Sequence, residues 1–191
     1  MKLIIAQGNP GSEYKKTRHN IGWLALDAIA NELNADDWQQ KTKFHGFVAP
    51  VTFNDSKALL LKPTTFYNDT GRAVRTVTDF YNLQPSDILV LHDELALPRG
   101  SVRVRPSGSS AGNNGIKSIS SHLGSEEYWR LRIGIKPNHQ VANSSQYVLN
   151  PLSSSDQEAL KQLQPTLILY VKKFLNGSLK AHSFSLPETK A

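Results

Sequence analysis

The chain has 191 residues, 39% of them hydrophobic, enough for one packed domain and too many for a wholly disordered chain. It contains no cysteine, which excludes disulfides, thiol nucleophiles and thiolate metal sites and suits a reducing compartment. Lys and Arg outnumber Asp and Glu by 22 to 16, and the resulting net charge of +6 favours a polyanionic partner.

Residues 2–7 (KLIIAQ) form a short apolar run that ends at Gly8-Asn9-Pro10-Gly11, the pattern of a buried strand entering a tight loop. The run is too short for a signal peptide, and no later window is apolar over the ~18 residues that a membrane span needs. The expectation is a soluble cytoplasmic protein without membrane contact. Residues 21–33 carry an apolar stripe at helical spacing, with Asn20 placed to cap the helix. Residues 44–53 and 57–61 flank Asn54-Asp55-Ser56 and read as a hairpin. Residues 66–81 read as a helix. Residues 88–91 (ILVL) read as a buried strand that delivers His92-Asp93-Glu94 to its C-terminal end. In residues 101–105, alternation puts Arg103 and Arg105 on one face of a strand. A Gly- and Ser-rich loop (107–115) precedes a short helix over 116–123. Residues 131–135 and 146–149 read as strands, and 153–176 as a long helix interrupted by Pro165. Residues 1–180 then make one domain and 181–191 a polar tail. Alternating strands and helices predict an α/β fold: a single three-layer domain with a mixed, largely parallel twisted sheet flanked by helices. Ligands of such sheets gather where loops leave the C-terminal strand ends.

Three such loops carry the chemistry-bearing residues. The first holds Asn9 and His19. Asn is an uncharged donor and acceptor, and His is the side chain that moves protons near neutral pH. A lone His is more often structural, so Asp93 matters: a carboxylate beside an imidazole fixes its tautomer and stabilises the imidazolium. A turn-capping role for Asp93 remains open on the residues alone. His92 is a rival base, but strand alternation turns its side chain away from that of Asp93. Asn68 sits near a helix start, where capping is the competing role. The 107–115 loop lets backbone amides approach a ligand, although a plain flexible loop has the same composition. No Gly-Lys-Ser/Thr phosphate loop, Gly-x-Gly-x-x-Gly, His-Glu-x-x-His or Gly-x-Ser-x-Gly motif occurs, so nucleotide, zinc and serine-nucleophile chemistries lack support.

GNPG with Tyr14 and Thr-Arg-His-Asn at 17–20, KPTTFYN with Gly71, HDE with Leu97-Pro98, GNNGIKS at 112–118 and LRIGI with Pro137 follow one another in order. Together, over residues 1 to about 180, they resemble the bacterial peptidyl-tRNA hydrolase family. The resemblance implies an esterase that frees tRNA from a peptide on its 3′ ribose, with no metal, no cofactor and no covalent intermediate. Nothing in the sequence demands a dimer, so a monomer is the expectation. It implies His19 as the base, Asp93 as its partner, and Asn9, Tyr14, Tyr67, Asn68 and Asn114 around the substrate. Arg105, Asn113, Lys117 and Arg132 would contact tRNA; solvated surface charge is the competing reading for the basic three.

The chain departs from the family pattern at four places. The usual Met is Tyr67, whose hydroxyl would alter the wall facing the peptide. The usual His before Asn114 is Asn113. The usual Gly-Gly loop is Gly108-Ser109-Ser110-Ala111, and an apolar residue is replaced by Gln7. None of these is expected to touch the His19–Asp93 pair. The alternative reading is a non-catalytic RNA-binding protein on the same fold.

Overall fold

The apolar start of the chain forms β1 (Lys2–Ala6), which ends up in the middle of the molecule. The structure is a computed structural model and describes residues 1–187. Among these residues one sheet is built from β1, β2 (Gln39–Lys41), β3 (Gly46–Phe53), β4 (Ser56–Pro63), β5 (Ile88–Pro98), β6 (Ser101–Arg105), β7 (Trp129–Lys136) and β8 (His182–Ser185). The strand order is β2-β3-β4-β1-β5-β7-β6-β8. The central strands β4, β1, β5 and β7 run parallel. The outer pairs are antiparallel, so the sheet is mixed, as the α/β reading expects.

Period-two alternation sends β1, β4 and β5 into two cores and β7 into one of them. Ile4, Leu60, Leu89 and Leu131 pack on one face with α1 (Ile21–Glu32) and α5 (Ser154–Leu175). Leu3, Ile5, Leu59 and Val90 pack on the other with α2 (Thr70–Tyr81) and α3 (Asn114–Leu123). These side chains are 3% exposed or less. Each contributes about 1.5–3 kcal/mol by leaving water, which makes the parallel centre the most stable part of the sheet. The result is three layers, helix–sheet–helix.

Several boundaries differ from the sequence reading, each for a local reason. Residues 146–149 are not a strand but the end of α4 (Ser144–Leu149). The Asn143 side chain accepts a hydrogen bond from the Gln146 N–H at 3.0 Å and so starts a helix, a cap that outweighs a three-residue apolar run. The polar tail is not all irregular: β8 pairs with β6, and only Phe184 of its four residues is half-buried, so its alternation is faint. Residues 188–191 of that tail lie outside the described residues. β5 does not stop at Leu91 but continues through His92-Asp93-Glu94 to Pro98. The helix expected from residue 66 begins at Thr70, after a 3-10 turn over Tyr67–Asp69. Asn20 makes no cap bond to α1; its side chain is used elsewhere. α5 starts as expected, with a reciprocal Ser153–Asp156 capping box, and continues through Pro165 to Leu175.

α2 and α3 meet through a residue without a side chain. The Gly71 N–H donates to Ser118 Oγ at 3.1 Å, and a Cβ at position 71 would run into the Ser118 carbonyl oxygen. Gly71→Ala is therefore expected to lower stability by about 1–3 kcal/mol through overpacking. Urea unfolding at unchanged m-value measures this; an unchanged midpoint would show that the helices yield without cost.

Candidate active site

Because the four central strands are parallel, their C-terminal ends share one edge of the sheet, and the sequence-predicted residues converge there. The loop after β1 carries Asn9 and His19, the turn after β4 carries Tyr67 and Asn68, and β5 carries Asp93. With Asn113 and Asn114 these residues line a cleft of about 550 Å³. That volume suits a small group such as an ester with its neighbouring residues.

His19 lies in a 3-10 turn (Arg18–Asn20) just before α1. Its neighbour Arg18 pins that turn. The Arg18 guanidinium lies 2.8 Å from Asp156 Oδ2 and 4.2 Å from the centre of the Tyr147 ring, and its backbone N–H donates to the Asn150 carbonyl at 3.1 Å. The His19 imidazole therefore leaves a clamped backbone. Its Nδ1 is 3.0 Å from Oδ2 and 3.1 Å from Oδ1 of Asp93. The His19 side chain is 16% exposed and that of Asp93 only 4%. A carboxylate can only accept, so Nδ1 carries the proton and Nε2 is left with a lone pair. His92, the rival base, is buried in the sheet with Nδ1 2.8 Å from the Asp93 carbonyl and no partner for Nε2. Burial pushes its pKa below the ordinary histidine value, so it stays neutral and outside the cleft.

Tyr67 corrects one expectation. This departure from the family pattern touches both members of the pair. Its ring stacks on His19 with centroids 3.5 Å apart and planes 9° from parallel. Its hydroxyl donates to Asp93 Oδ1 at 2.6 Å, within the ~2.5–2.7 Å range of charge-assisted O–H···O⁻ bonds. Burial, and after it the Asp93 charge, raise the Tyr67 pKa well above the ordinary tyrosine value, so the hydroxyl keeps its proton. Asn113 Nδ2 donates to the same hydroxyl at 3.0 Å. Behind the ring, Gly115 leaves no room for a Cβ, which would meet Gln7 Nε2 and the Tyr67 ring. The Gln7 amide is buried, and neither of its polar atoms has a hydrogen-bond partner.

Asn9 is held from two sides. The Asn20 side chain accepts from the Asn9 N–H at 2.8 Å and donates to the Asn9 carbonyl at 2.9 Å. Asn9 Oδ1 accepts from the Tyr67 N–H at 2.8 Å, which leaves its Nδ2 as the donor for the cleft. Asn20 was legible only as a helix cap; its part in fixing Asn9 needs a contact eleven residues away.

Asn68 and Asn114 are exposed and line the cleft. Asn68 makes no cap bond, and Asn113 is the residue that caps α3. Tyr14 does not line the cleft, and its carbonyl accepts from Thr17 Oγ1. Arg132 is held by Glu94 at 2.7 Å, and Arg105 donates to the Val104 and His182 carbonyls. Neither arginine lines the cleft, while Lys117 lines an adjoining depression with Asn68 and Asn114. The sequence reading missed the apolar wall made by Phe66, Val148 and Leu149. Phe66 and Leu149 are 62% and 44% exposed, and their neighbourhood was hidden by taking 146–149 as a strand. Among the described residues no three His, Asp or Glu side chains are grouped to hold a metal ion.

Known proteins resemble this chain over most of its length. The family model for peptidyl-tRNA hydrolase matches residues 3–190. The peptidyl-tRNA hydrolase of Gloeobacter violaceus is 41% identical over 98% of both chains. That of Desulfitobacterium hafniense is 44% identical over 85% of this chain and 86% of its own. The crystal structure of peptidyl-tRNA hydrolase from Acinetobacter baumannii superposes with a TM-score of 0.86, at 32% identity, over 93% of this chain and 89% of that one. A histidine–carboxylate pair at the head of a parallel sheet, in a chain matched to one enzyme family from residue 3 to 190, leads to one assignment: the chain belongs to the peptidyl-tRNA hydrolase family.

Proposed function

We propose that the cleft hydrolyses the ester joining a peptide to the 3′ ribose of tRNA through a water molecule activated by His19. The observation that carries this is the His19–Asp93 pair, with Nδ1 committed to the carboxylate and Nε2 left as the base. Nε2 takes a proton from water as the oxygen attacks the ester carbonyl. Asp93 stabilises the imidazolium that forms. Asn9 Nδ2 donates to the developing oxyanion, its other amide atom being held by the Tyr67 N–H. The imidazolium then returns the proton to the departing ribose oxygen, which completes hydrolysis with no covalent intermediate.

Asn68 and Asn114 hold the peptide backbone from the rim, and Phe66, Val148 and Leu149 receive an apolar side chain. Lys117 lies beside the cleft, where the acceptor end of a tRNA would pass, and is the first candidate for a phosphate contact. Arg105 and Arg132 contribute positive charge from strands that are already hydrogen-bonded within the protein. The cleft is complete within one chain, so a monomer suffices. A tRNA substrate supports a cytoplasmic site of action, and a cysteine-free chain suits that reducing compartment. A non-catalytic RNA-binding role would leave the buried carboxylate behind a cleft histidine without a purpose.

His19→Ala is expected to stay folded and to cleave N-blocked aminoacyl-tRNA at least about 100-fold more slowly, the usual scale for a lost general base. Near-normal turnover would overturn the base assignment. Asn9→Ala is expected to lower kcat by about 10²–10³, the loss typical of one oxyanion donor. A change confined to KM would instead make Asn9 a ground-state binder. Raising salt from 50 to 200 mM is expected to raise KM for the tRNA substrate steeply with little effect on kcat, since phosphate contacts release counterions. A salt-independent KM would point to a small-ester hydrolase.

A further inference from the structure

We propose that Tyr67 is a positioning residue for the Asp93–His19 pair and that Asn113 sets its direction, so that a one-way hydrogen-bond chain runs from the first turn of α3 to the Asp93 carboxylate, where the His19 imidazole donates from the other side. The inference rests on His19 acting as the base.

The direction of each link follows from chemistry. The Ile116 N–H is one of the unpaired donors at the start of α3 and donates to Asn113 Oδ1 at 2.9 Å. That fixes the Asn113 amide: its Nδ2, which can only donate, must face the Tyr67 hydroxyl at 3.0 Å. The hydroxyl oxygen accepts there, so its own proton goes to Asp93 Oδ1 at 2.6 Å. Asp93 can only accept, and His19 Nδ1 is its other donor. Reversing any link would bring two donors or two acceptors face to face. The Tyr67 ring, lying flat on His19 and backed by Gly115, holds the imidazole plane while its hydroxyl holds the carboxylate.

The electrical consequence has a definite sign. A second donor on Asp93 draws negative charge from the oxygens that face His19. The imidazolium then gains less from Asp93 than it would from a carboxylate that had His19 as its sole donor. Of the other charged groups on the surrounding elements, Glu94 lines the same cleft and most are paired. Arg18 is bound to Asp156, and Tyr147 of α4 lies under Arg18. Glu94 of β5 is paired with Arg132 of β7, and His92 is buried and neutral. Asp69, in the same turn as Tyr67, and Lys117 of α3 line the adjoining depression.

The test is the pH profile of kcat/KM on N-blocked aminoacyl-tRNA. Tyr67→Phe keeps the stacked ring and removes the hydroxyl. Its acid limb is expected to move to higher pH by about half to one unit, a threefold to tenfold loss on the acid side. Asn113→Ser keeps a cap acceptor for α3 but lacks the donor to Tyr67, and is expected to move the limb the same way by less. The double variant should move it no further than Tyr67→Phe alone, because both act through one chain. An unmoved limb in Tyr67→Phe, or two shifts that add, would overturn the proposal. If Tyr67→Phe does not fold, Asn113→Ser reads the same limb with the same two outcomes. Turnover surviving in His19→Ala would defeat the base assignment itself; an inactive His19→Ala with an unmoved Tyr67→Phe limb defeats only the positioning role.

Discussion

A carboxylate held almost wholly out of water must be supplied with donors, and the head of this sheet is organised around that requirement at Asp93. An isolated buried charge would neutralise itself by taking up a proton, and it would then no longer hold a histidine in one tautomer. Two donors prevent this, His19 and Tyr67, and they arrive from different loops. One loop is clamped by Arg18 on Asp156, the other by Asn9 on the Tyr67 backbone. Removing either loop's anchor therefore bears on the donors held around Asp93, even where the anchor lies outside the cleft.

The parallel centre of the sheet makes this convergence possible. β1, β4 and β5 end on one edge, and each delivers a loop before its next helix or strand. Alternation along β5 separates two adjacent titratable residues. His92 enters the core and loses its charge, while Asp93 turns toward the cleft and keeps its donors. The same rule that builds the hydrophobic layers thus decides which residue of the His-Asp pair can do chemistry.

Most of the frame was legible because its signals are local. The runs at β1 and at the start of β5, and the helical stripes of α1 and α2, are one-dimensional patterns that tertiary contacts reinforce. α4 and β8 were not legible: α4 has only three apolar residues and β8 only Phe184, and each is decided by a single partner, the Asn143 cap and the edge of β6. At the site, residue types and the His19–Asp93 pairing were readable from the ordered motifs. The reach of Tyr67 was not. Its partners lie 26 and 46 residues away, and nothing local to KPTTFYN says that the hydroxyl turns inward to Asp93 rather than toward a bound peptide. Arg132 looked free for the same reason, since Glu94 becomes its neighbour only through the register of β5 on β7.

The double engagement of the Tyr67 hydroxyl also constrains how such a site can change over generations. A tyrosine at 67 without a donor at 113 leaves a buried oxygen half satisfied; an asparagine at 113 facing a thioether leaves a half-buried N–H group without its partner. Each single exchange leaves one group short of a partner and the joint exchange does not, so the two positions are energetically coupled. A relative that carries Tyr at one should carry a short amide at the other, and grafting either residue alone into another member of the family would import the defect without its remedy.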